Sequence, residues 1–499
     1  MILDLIDRFL LFLLRKLGLY TYRTLFAATF AILGAVATAV IVAIVVINAR
    51  PPLNVWHDAV LDEEFTVKSP VTSMADYLAL EDRLFAQLKR DVYDKVAPKD
   101  RSDFNRYTAG SRSDPGIWPQ NWNRTFRLTA DAPTFGVLLL HGYSDSPYSL
   151  RALGLQMREQ GGDVLGLRLP GHGTAPSALK STTFEDMAAA VRIAMKDMKS
   201  RMGDRPIFII GYSNGATLAT HYALASVGNA DLPRPAGIVL VSPSIGITRV
   251  AAFAGWQAWV GDMLGLDSLA WSSVEPEFDP YKYNSFAVNA GRQAFRATQQ
   301  TQSQLDALQT QGRLAEVPPI LAFQSVVDAT VSARAVLDRL FARLPQGHHQ
   351  LVMFDVNRIY ASFDLLKDTI DLEGLLRGAA LSYDLAIVTN RDEASWNAVV
   401  RDRAAGETVS HATDIGLSWP GDVYSLSHIA LPFGSDDPLY GNGVAGENPG
   451  IRLGDLAARG ERGVLAIPVS ALTRQRWNPF FPFLSNRVKA FINARMSKS

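Results

Sequence analysis

The sequence predicts an α/β fold: a mostly parallel sheet covered by helices on both faces. Three observations carry this. From Phe135 onward, short and wholly apolar runs recur, each ending in a turn that bears Gly or Pro. Helical patterns of about 12–18 residues separate those runs, which supplies the crossovers that parallel strands require. The third is the stretch 207–220, IFIIGYSNGATLAT, in which an apolar run meets G-Y-S-N-G and then a packed helix opening with Ala216, Thr217, Leu218, Ala219 and Tyr222. Apolar runs without alternation are what strands buried on both faces need.

In chain order, residues 1–24 mix apolar runs with Arg8, Arg15, Lys16 and Arg23 and read as a cytoplasmic or interfacial segment. Residues 25–47 contain no charge, and only Thr29 and Thr38 are polar. At 1.5 Å per residue this stretch covers roughly 34 Å, enough for a hydrocarbon core, and it reads as a transmembrane helix. A cleaved signal peptide and a buried core helix are the alternatives; the run is longer than the first needs, and it lacks the polar face of the second. Its amino-terminal flank is basic, whereas Arg50 on the other side is followed by Asp58, Asp62, Glu63 and Glu64. The basic flank should stay in the cytoplasm, which puts the remainder of the chain in the periplasm or another extracytoplasmic space. Arg50-Pro51-Pro52 ends the helix.

Residues 48–130 are expected to form a stalk and an amino-terminal collar, with a helical patch near 74–92 and Trp118 and Trp122 packed inside the collar. The main domain, 131–499, then opens on the strand GVLLL, which runs into His141-Gly142 and the turn YSDSP. A helix over 149–160 closes at Gly161-Gly162; DVLGLRLPGHG is the next strand and loop; a helix over 184–202 leads to the IFII strand. PAGIVLVSPS and PPILAFQSVVD supply two more strands. Two stretches interrupt the alternation. Residues 245–310, rich in aromatic residues, Ala and Gln, read as a mostly helical cap. Residues 357–420 read as a second insertion with an extra strand at LAIVTN, and WNPFFPFLSNRVKAFINARMSKS reads as a closing amphipathic helix.

Composition narrows the chemistry. The 499 residues carry 49 basic and 49 acidic side chains, so nothing suggests a polyanionic partner, and no nucleic acid is expected. There is no cysteine, which removes disulfides, thiolate metal sites and cysteine nucleophiles together. A lone loop histidine in LPGHG, His172, has no second ligand at a metal-binding spacing, so neither metal nor cofactor is expected.

The chemistry centres on Ser213. A serine hydroxyl is a poor nucleophile until a base takes its proton. A sharp strand-to-helix turn thrusts that hydroxyl out at the carboxyl edge of the sheet and crowds the positions two before and two after, where Gly211 and Gly215 carry no side chain. A Gly-rich turn with an incidental serine is the alternative. An acid and a histidine are needed later in the chain. Asp328, just past ILAFQ, is the candidate acid; a turn aspartate capping a helix near Val331 is its bland reading and Asp355 its rival. His428, in VYSLSHIALPF, is the candidate base. Among the other seven histidines, His57 lies near the anchor, His141 and His172 precede the serine, His221 sits in the helix after the elbow, and His348 and His349 mark an exposed turn. His411 is the competitor. Two backbone amides should face the developing oxyanion, those of Tyr143 and Asn214, with Gly142 allowing close approach.

On these residues the chain resembles the α/β-hydrolase superfamily, in its branch of monoacylglycerol lipases, carboxylesterases and serine aminopeptidases. The matching pieces are HGYSDSP (141–147), LRLPGHG (167–173), GYSNG (211–215), Asp328 with Val331, and His428; the likeness covers about 135–345 and 420–435. Two departures stand out. Gln324-Ser325 precedes the acid where relatives often have a glycine, and the interval from Asp328 to His428 is long, so residues 357–420 are expected to loop out. The resemblance implies a serine hydrolase that cleaves carboxylic esters; the anchor read from 25–47 and the aromatic cap point to apolar or lipid-like acyl groups. Peptide or amide hydrolysis with the same triad is the second reading, for which Glu275, Glu277 and Asp279 would grip an α-amine. A membrane-tethered binding protein on an inactive hydrolase is the third.

Overall fold

In the computed structural model, the described residues are 8, 12, 16, 24–35, 37–38, 50–246, 267–359, 370–443, 450–454 and 473–496. Residues 1–52 and 53–499 form two compact units. In the first, residues 24–35 and 37–38 are helical. Among the described residues, no helix is long and apolar enough to cross a membrane. The rest of the anchor expected over 25–47 lies outside them.

The second unit is built on a ten-stranded sheet. Its strands are β1 (Phe126–Thr129), β2 (Phe135–Leu140), β3 (Gly162–Leu167), β4 (Ile207–Tyr212), β5 (Gly237–Val241), β8 (Ile320–Ser325), β9 (Gln350–Phe354), β10 (Asp384–Asn390), β11 (Asn397–Arg403) and β12 (His411–Ser418), with β6 (Trp271–Ser273) and β7 (Phe286–Ala287) pairing separately. The order across the sheet is β1-β3-β2-β4-β5-β8-β9-β10-β11-β12. All pairs from β3 to β10 are parallel; β1 and the two last strands are antiparallel. This mixed, mostly parallel sheet with a serine at a strand-to-helix elbow is the α/β-hydrolase fold.

Period-two burial divides each central strand between two cores. Leu138, Ile209, Leu240 and Ala322 face one; Val137, Phe208, Val239 and Leu321 face the other. Among the described residues of this unit, the α-helices of six or more residues are α1 (Met74–Asp91), α2 (Arg151–Glu159), α3 (Phe184–Met202), α4 (Asn214–Ala225), α5 (Val288–Thr310), α6 (Ala333–Arg339), α7 (Leu372–Arg377) and α8 (Phe481–Met496). Helix α3 starts at a capping box formed by Thr183 and Asp186 and ends at Gly203, whose φ of 60° suits glycine. It buries Met187, Val191, Ala194, Met195 and Met198 in the first core. On the opposite face α8 buries Leu484, Val488, Phe491 and Ile492.

The collar is part of the folded body. Helix α1, capped by Ser73 and Asp76, packs Tyr77 and Leu80 into the first core. Trp118 is buried against Tyr148 and Tyr281, and Trp122 lies edge-on to Phe126.

Two interruptions differ from the sequence reading. Within 245–310, residues 247–266 lie outside the described residues; the rest comprises the β6–β7 pair, an irregular strap over 274–285 and the long helix α5. Residues 384–418 of the second, 357–420, do not loop out. They lengthen the main sheet by β10, β11 and β12, because LAIVTN pairs in parallel with β9 and the two following strands turn back antiparallel.

Candidate active site

Strand β4 delivers Ser213 at its carboxyl end with φ 54° and ψ −115°, a backbone conformation that L-residues seldom adopt. The packing shows why the flanking residues are glycines. A Cβ on Gly215 would lie 1.9 Å from the carbonyl oxygen of Leu140, and one on Gly211 would lie 2.4 Å from the carbonyl oxygen of Gly215. No side chain fits either place, so β2, β4 and α4 meet closely enough to hold the bend.

The structure brings Ser213, His428 and Asp328 together. His428 Nε2 is 3.0 Å from Ser213 Oγ, and His428 Nδ1 is 2.9 Å from Asp328 Oδ2. All three side chains are largely buried. Asp328 sits in the turn after β8, where its Oδ1 accepts the amides of Thr330 and Val331 at 2.8 and 3.0 Å. Burial alone would raise its pKa. The neighbouring His428, by charge and by hydrogen bond, and the two amides outweigh that and hold it below the ordinary value. The carboxylate therefore stays ionised and fixes the imidazole with Nδ1–H toward the acid, leaving Nε2 to accept from the serine hydroxyl.

The rivals are placed elsewhere. His411 is exposed on β12, and Asp355 spends its carboxylate on Arg358 Nε at 2.8 Å and Thr389 Oγ1 at 2.7 Å. His141 receives the amide of Leu169 at Nε2, so Nδ1 carries the proton it donates to the Gly142 carbonyl. Burial, then the neighbouring His172, lowers its pKa well below the usual range.

The turn after β2 lies against the nucleophile: a Cβ on Gly142 would sit 3.2 Å from Ser213 Cβ. The amide of Tyr143 has no hydrogen-bond partner among the described residues. Asn214 is the first residue of α4, where an amide has no intrahelical acceptor. Both candidate oxyanion donors are thus unspent.

Several residues that support the site were not singled out by the sequence. Gln324, part of the departure from relatives, donates Nε2 to Asp328 Oδ2 at 3.0 Å. Ser325 Oγ donates to the carbonyl of Leu426 at 2.8 Å, tying the histidine loop to β8. Asn357 adds two bonds to the same loop, at the carbonyls of Tyr424 and Val423. Ser244 Oγ lies 3.5 Å from Ser213 Oγ. The two polar residues before the acid were the one signal available. Among the described residues, no group of three or more His, Asp or Glu is arranged to hold a metal ion.

Fold and site together define a serine hydrolase on the α/β-hydrolase scaffold. Comparison with known proteins agrees in class. A family described as "Serine aminopeptidase, S33" matches residues 131–357. The chain is 27% identical over 256 residues to the thermostable monoacylglycerol lipase of Bacillus sp. (strain H-257), across 51% of this chain and 88% of that protein. Among solved structures it is similar to the monoacylglycerol lipase of Paleococcus ferrophilus, at 19% identity, 46% of this chain, 89% of that one and a TM-score of 0.35. It is also similar to a soluble variant of the monoglyceride lipase of Saccharomyces cerevisiae, at 11% identity, 46% of this chain, 82% of that one and a TM-score of 0.35. The sequence likeness is distant and of lipase or esterase type.

Proposed function

We propose that this protein hydrolyses carboxylic esters of apolar or lipid-like acyl groups by an acyl-enzyme mechanism. The observation that carries the reading is the unbroken hydrogen-bonded line from Ser213 Oγ through His428 to Asp328. His428 Nε2 takes the hydroxyl proton as Ser213 Oγ attacks the acyl carbonyl. The amides of Tyr143 and Asn214 receive the negative charge on the carbonyl oxygen. His428 then gives its proton to the departing alkoxide, and the acyl group stays on Ser213. Water, deprotonated by His428, attacks that ester; the serine leaves with the proton and the carboxylic acid is released. Asp328 keeps the imidazole in the required tautomer throughout.

Ester cleavage is favoured over removal of an amino-terminal residue by the state of two of the three cap acids, Glu277 and Asp279. Glu277 accepts the amides of Ser285 and Asn284, and Asp279 accepts the hydroxyl of Tyr440 and the amide of Tyr281. Both are buried, so neither is free to grip an α-amine. The likeness to monoacylglycerol lipases supports an acylglycerol or similar lipid as the substrate class.

The proposal includes anchoring through residues 25–47, with the catalytic domain extracytoplasmic. It is supported by the charge-free run and by Thr29 and Thr38, whose hydroxyls donate to the carbonyls of Leu25 and Gly34 at 2.9 and 2.8 Å. Such bonds let a hydroxyl sit in lipid without an unmet donor.

A fluorophosphonate probe tests the nucleophile: wild type should label and Ser213→Ala should not, whereas labelling that survives the substitution assigns another nucleophile. A chain-length series of p-nitrophenyl esters set beside aminoacyl-anilides tests the bond; faster turnover of the anilides would overturn the ester reading. A periplasm-dependent reporter fused after Ser499 should be active, and a silent fusion would reverse the topology.

A further inference from the structure

We infer that the cap strap 277–285 braces the oxyanion turn 142–145, and that Lys282 is a positioning residue for the reaction. The inference rests on the ester-hydrolase reading of Ser213 given above.

The turn is poorly equipped to hold itself. Ser144 has φ 60°, in the left-handed region that a serine seldom enters. Among the described residues its one internal backbone bond, from the Asp145 amide to the Gly142 carbonyl, is long at 3.3 Å. Strong support comes from two consecutive residues of the cap instead. The amide of Tyr283 donates to the Ser144 carbonyl at 2.7 Å, and Lys282 Nζ donates to Asp145 Oδ1 at 3.0 Å. The ion pair is well shielded: the Lys282 side chain is 23% exposed and that of Asp145 6%.

The strap is itself fastened at both ends of this contact. On the collar side, Arg106 donates its amide to the Glu277 carbonyl at 2.9 Å and Nη1 to the Lys282 carbonyl at 3.2 Å. On the other side, the Tyr283 hydroxyl accepts the amide of Thr174 at 2.7 Å and donates to the carbonyl of Gly171 at 3.2 Å. Collar, strap and LPGHG loop thus form one brace, and its load falls on the peptides that flank Tyr143.

This matters because an oxyanion donor is useful only within about 2.7–3.1 Å of where the charge develops. Removing the ammonium leaves the Asp145 carboxylate buried without its cation. The bond that ties this end of the turn to the strap is then lost, and the Gly142–Ser144 peptides are free to shift. The cap therefore aligns a transition-state donor, beyond any part it plays in covering the acyl group.

Lys282→Met and Lys282→Arg in the full chain test this, with Asp145→Asn as a second way to break the pair should Lys282→Met not fold. Three quantities are read: kcat and KM on a short p-nitrophenyl ester, the inhibition constant of a trifluoromethyl ketone that binds as a hemiketal oxyanion, and the thermal midpoint. Lys282→Met, or Asp145→Asn, should lower kcat by about tenfold or more and weaken the ketone in parallel, with KM within about twofold. Lys282→Arg should restore most of both. If kcat and the ketone constant stay within about twofold of wild type, or if only KM and the thermal midpoint move, Lys282 is structural and the inference falls. A wild-type protein that turns over no ester and takes no fluorophosphonate overturns the parent reading instead.

Discussion

Two buried charge centres lie at the carboxyl ends of strands β3 and β8, with three strands of the sheet between them, and they differ in one respect. After β3, Arg168 is fully enclosed. Its Nη1 and Nη2 each meet Glu64 at 3.0 Å, its Nε meets Glu81 at 3.1 Å, and Nη1 also reaches the His172 carbonyl at 3.1 Å. Burial alone would lower its pKa, but Glu64 and Glu81 more than offset that and hold it well above the usual range. After β8, Asp328 is just as enclosed, yet the line it anchors ends on a hydroxyl. Beyond His428, Ser213 Oγ has among the described residues only the distant Ser244 Oγ at 3.5 Å. The first centre engages all three guanidinium nitrogens and fastens the collar to the LPGHG loop; the second leaves one atom with a proton to lose. Saturation makes a clasp, and an open end makes chemistry.

The comparison breaks most sharply through substitutions at the open end. Ser213→Ala or His428→Ala should lower kcat by about 10⁴–10⁶-fold, and Asp328→Asn by about 10⁴-fold. Ser213→Ala, which removes a single oxygen atom, should change the unfolding free energy by no more than about 1 kcal/mol. Steady-state rates beside urea melts check both halves, and a large stability loss in Ser213→Ala would erase the distinction. At the clasp the expectation inverts. Arg168→Met leaves Glu64 and Glu81 buried without their cation and should cost about 3–5 kcal/mol in urea unfolding. Turnover per folded molecule should change far less than in Ser213→Ala.

Gly215→Ala joins the two behaviours, because the elbow is both packing and chemistry. The added methyl meets the carbonyl oxygens of Leu140 and His141 at 1.9 and 2.6 Å, both backbone atoms. Backbone cannot step aside as a side chain can, so the loss should be about 1–3 kcal/mol or more, accompanied by loss of turnover. Gly116→Ala, where the three atoms nearest the added methyl are side-chain atoms of Asp114 at 3.0 Å or more, is the control, and it should keep full turnover.

What was legible in the sequence follows the same division. The elbow, the turn after β2 and the central strands are local patterns: IFII, GVLLL and GYSNG state their conformations within a dozen residues. His428 was found by position and elimination, and the structure sets its ring between Ser213 and Asp328. The clasp was not legible, because Glu64 and Glu81 lie 104 and 87 residues from Arg168 and no spacing announces such a pairing. Strands β11 and β12 were missed for another reason. NAVVRDR and HATDIGLS occupy the sheet's rim, where one or both faces meet water, and so lack the apolar runs that mark the centre. Mistaking that rim for a loop also made the interval between the acid and the histidine look like an obstacle. The strap is the least legible feature: Lys282 and Tyr283 sit in an irregular segment, and their effect depends on a turn more than a hundred residues earlier.

The smallest effect sharpens the contrast through pH. Glu277 and Asp328 are both buried carboxylates with opposite balances. Burial raises Glu277 from 4.5 to about 7, and Arg106 with the amides of Ser285 and Asn284 offsets this only in part. Between those two values the folded state binds more protons than the unfolded chain, so stability should fall as pH rises through that window. Asp328 is held below its ordinary 3.8, so its contribution is present above that value and is lost as pH falls through the lower, folded one. Urea midpoints between pH 3 and pH 8 should therefore decline at both ends, for different reasons. Glu277→Gln should flatten the decline between about pH 4.5 and 7 while leaving the acid limb, and Asp328→Asn should do the reverse. If Glu277→Gln leaves the upper limb unchanged, the carboxyl beside Arg106 is ionised throughout, and the collar–strap contact is a second saturated clasp like that at Arg168.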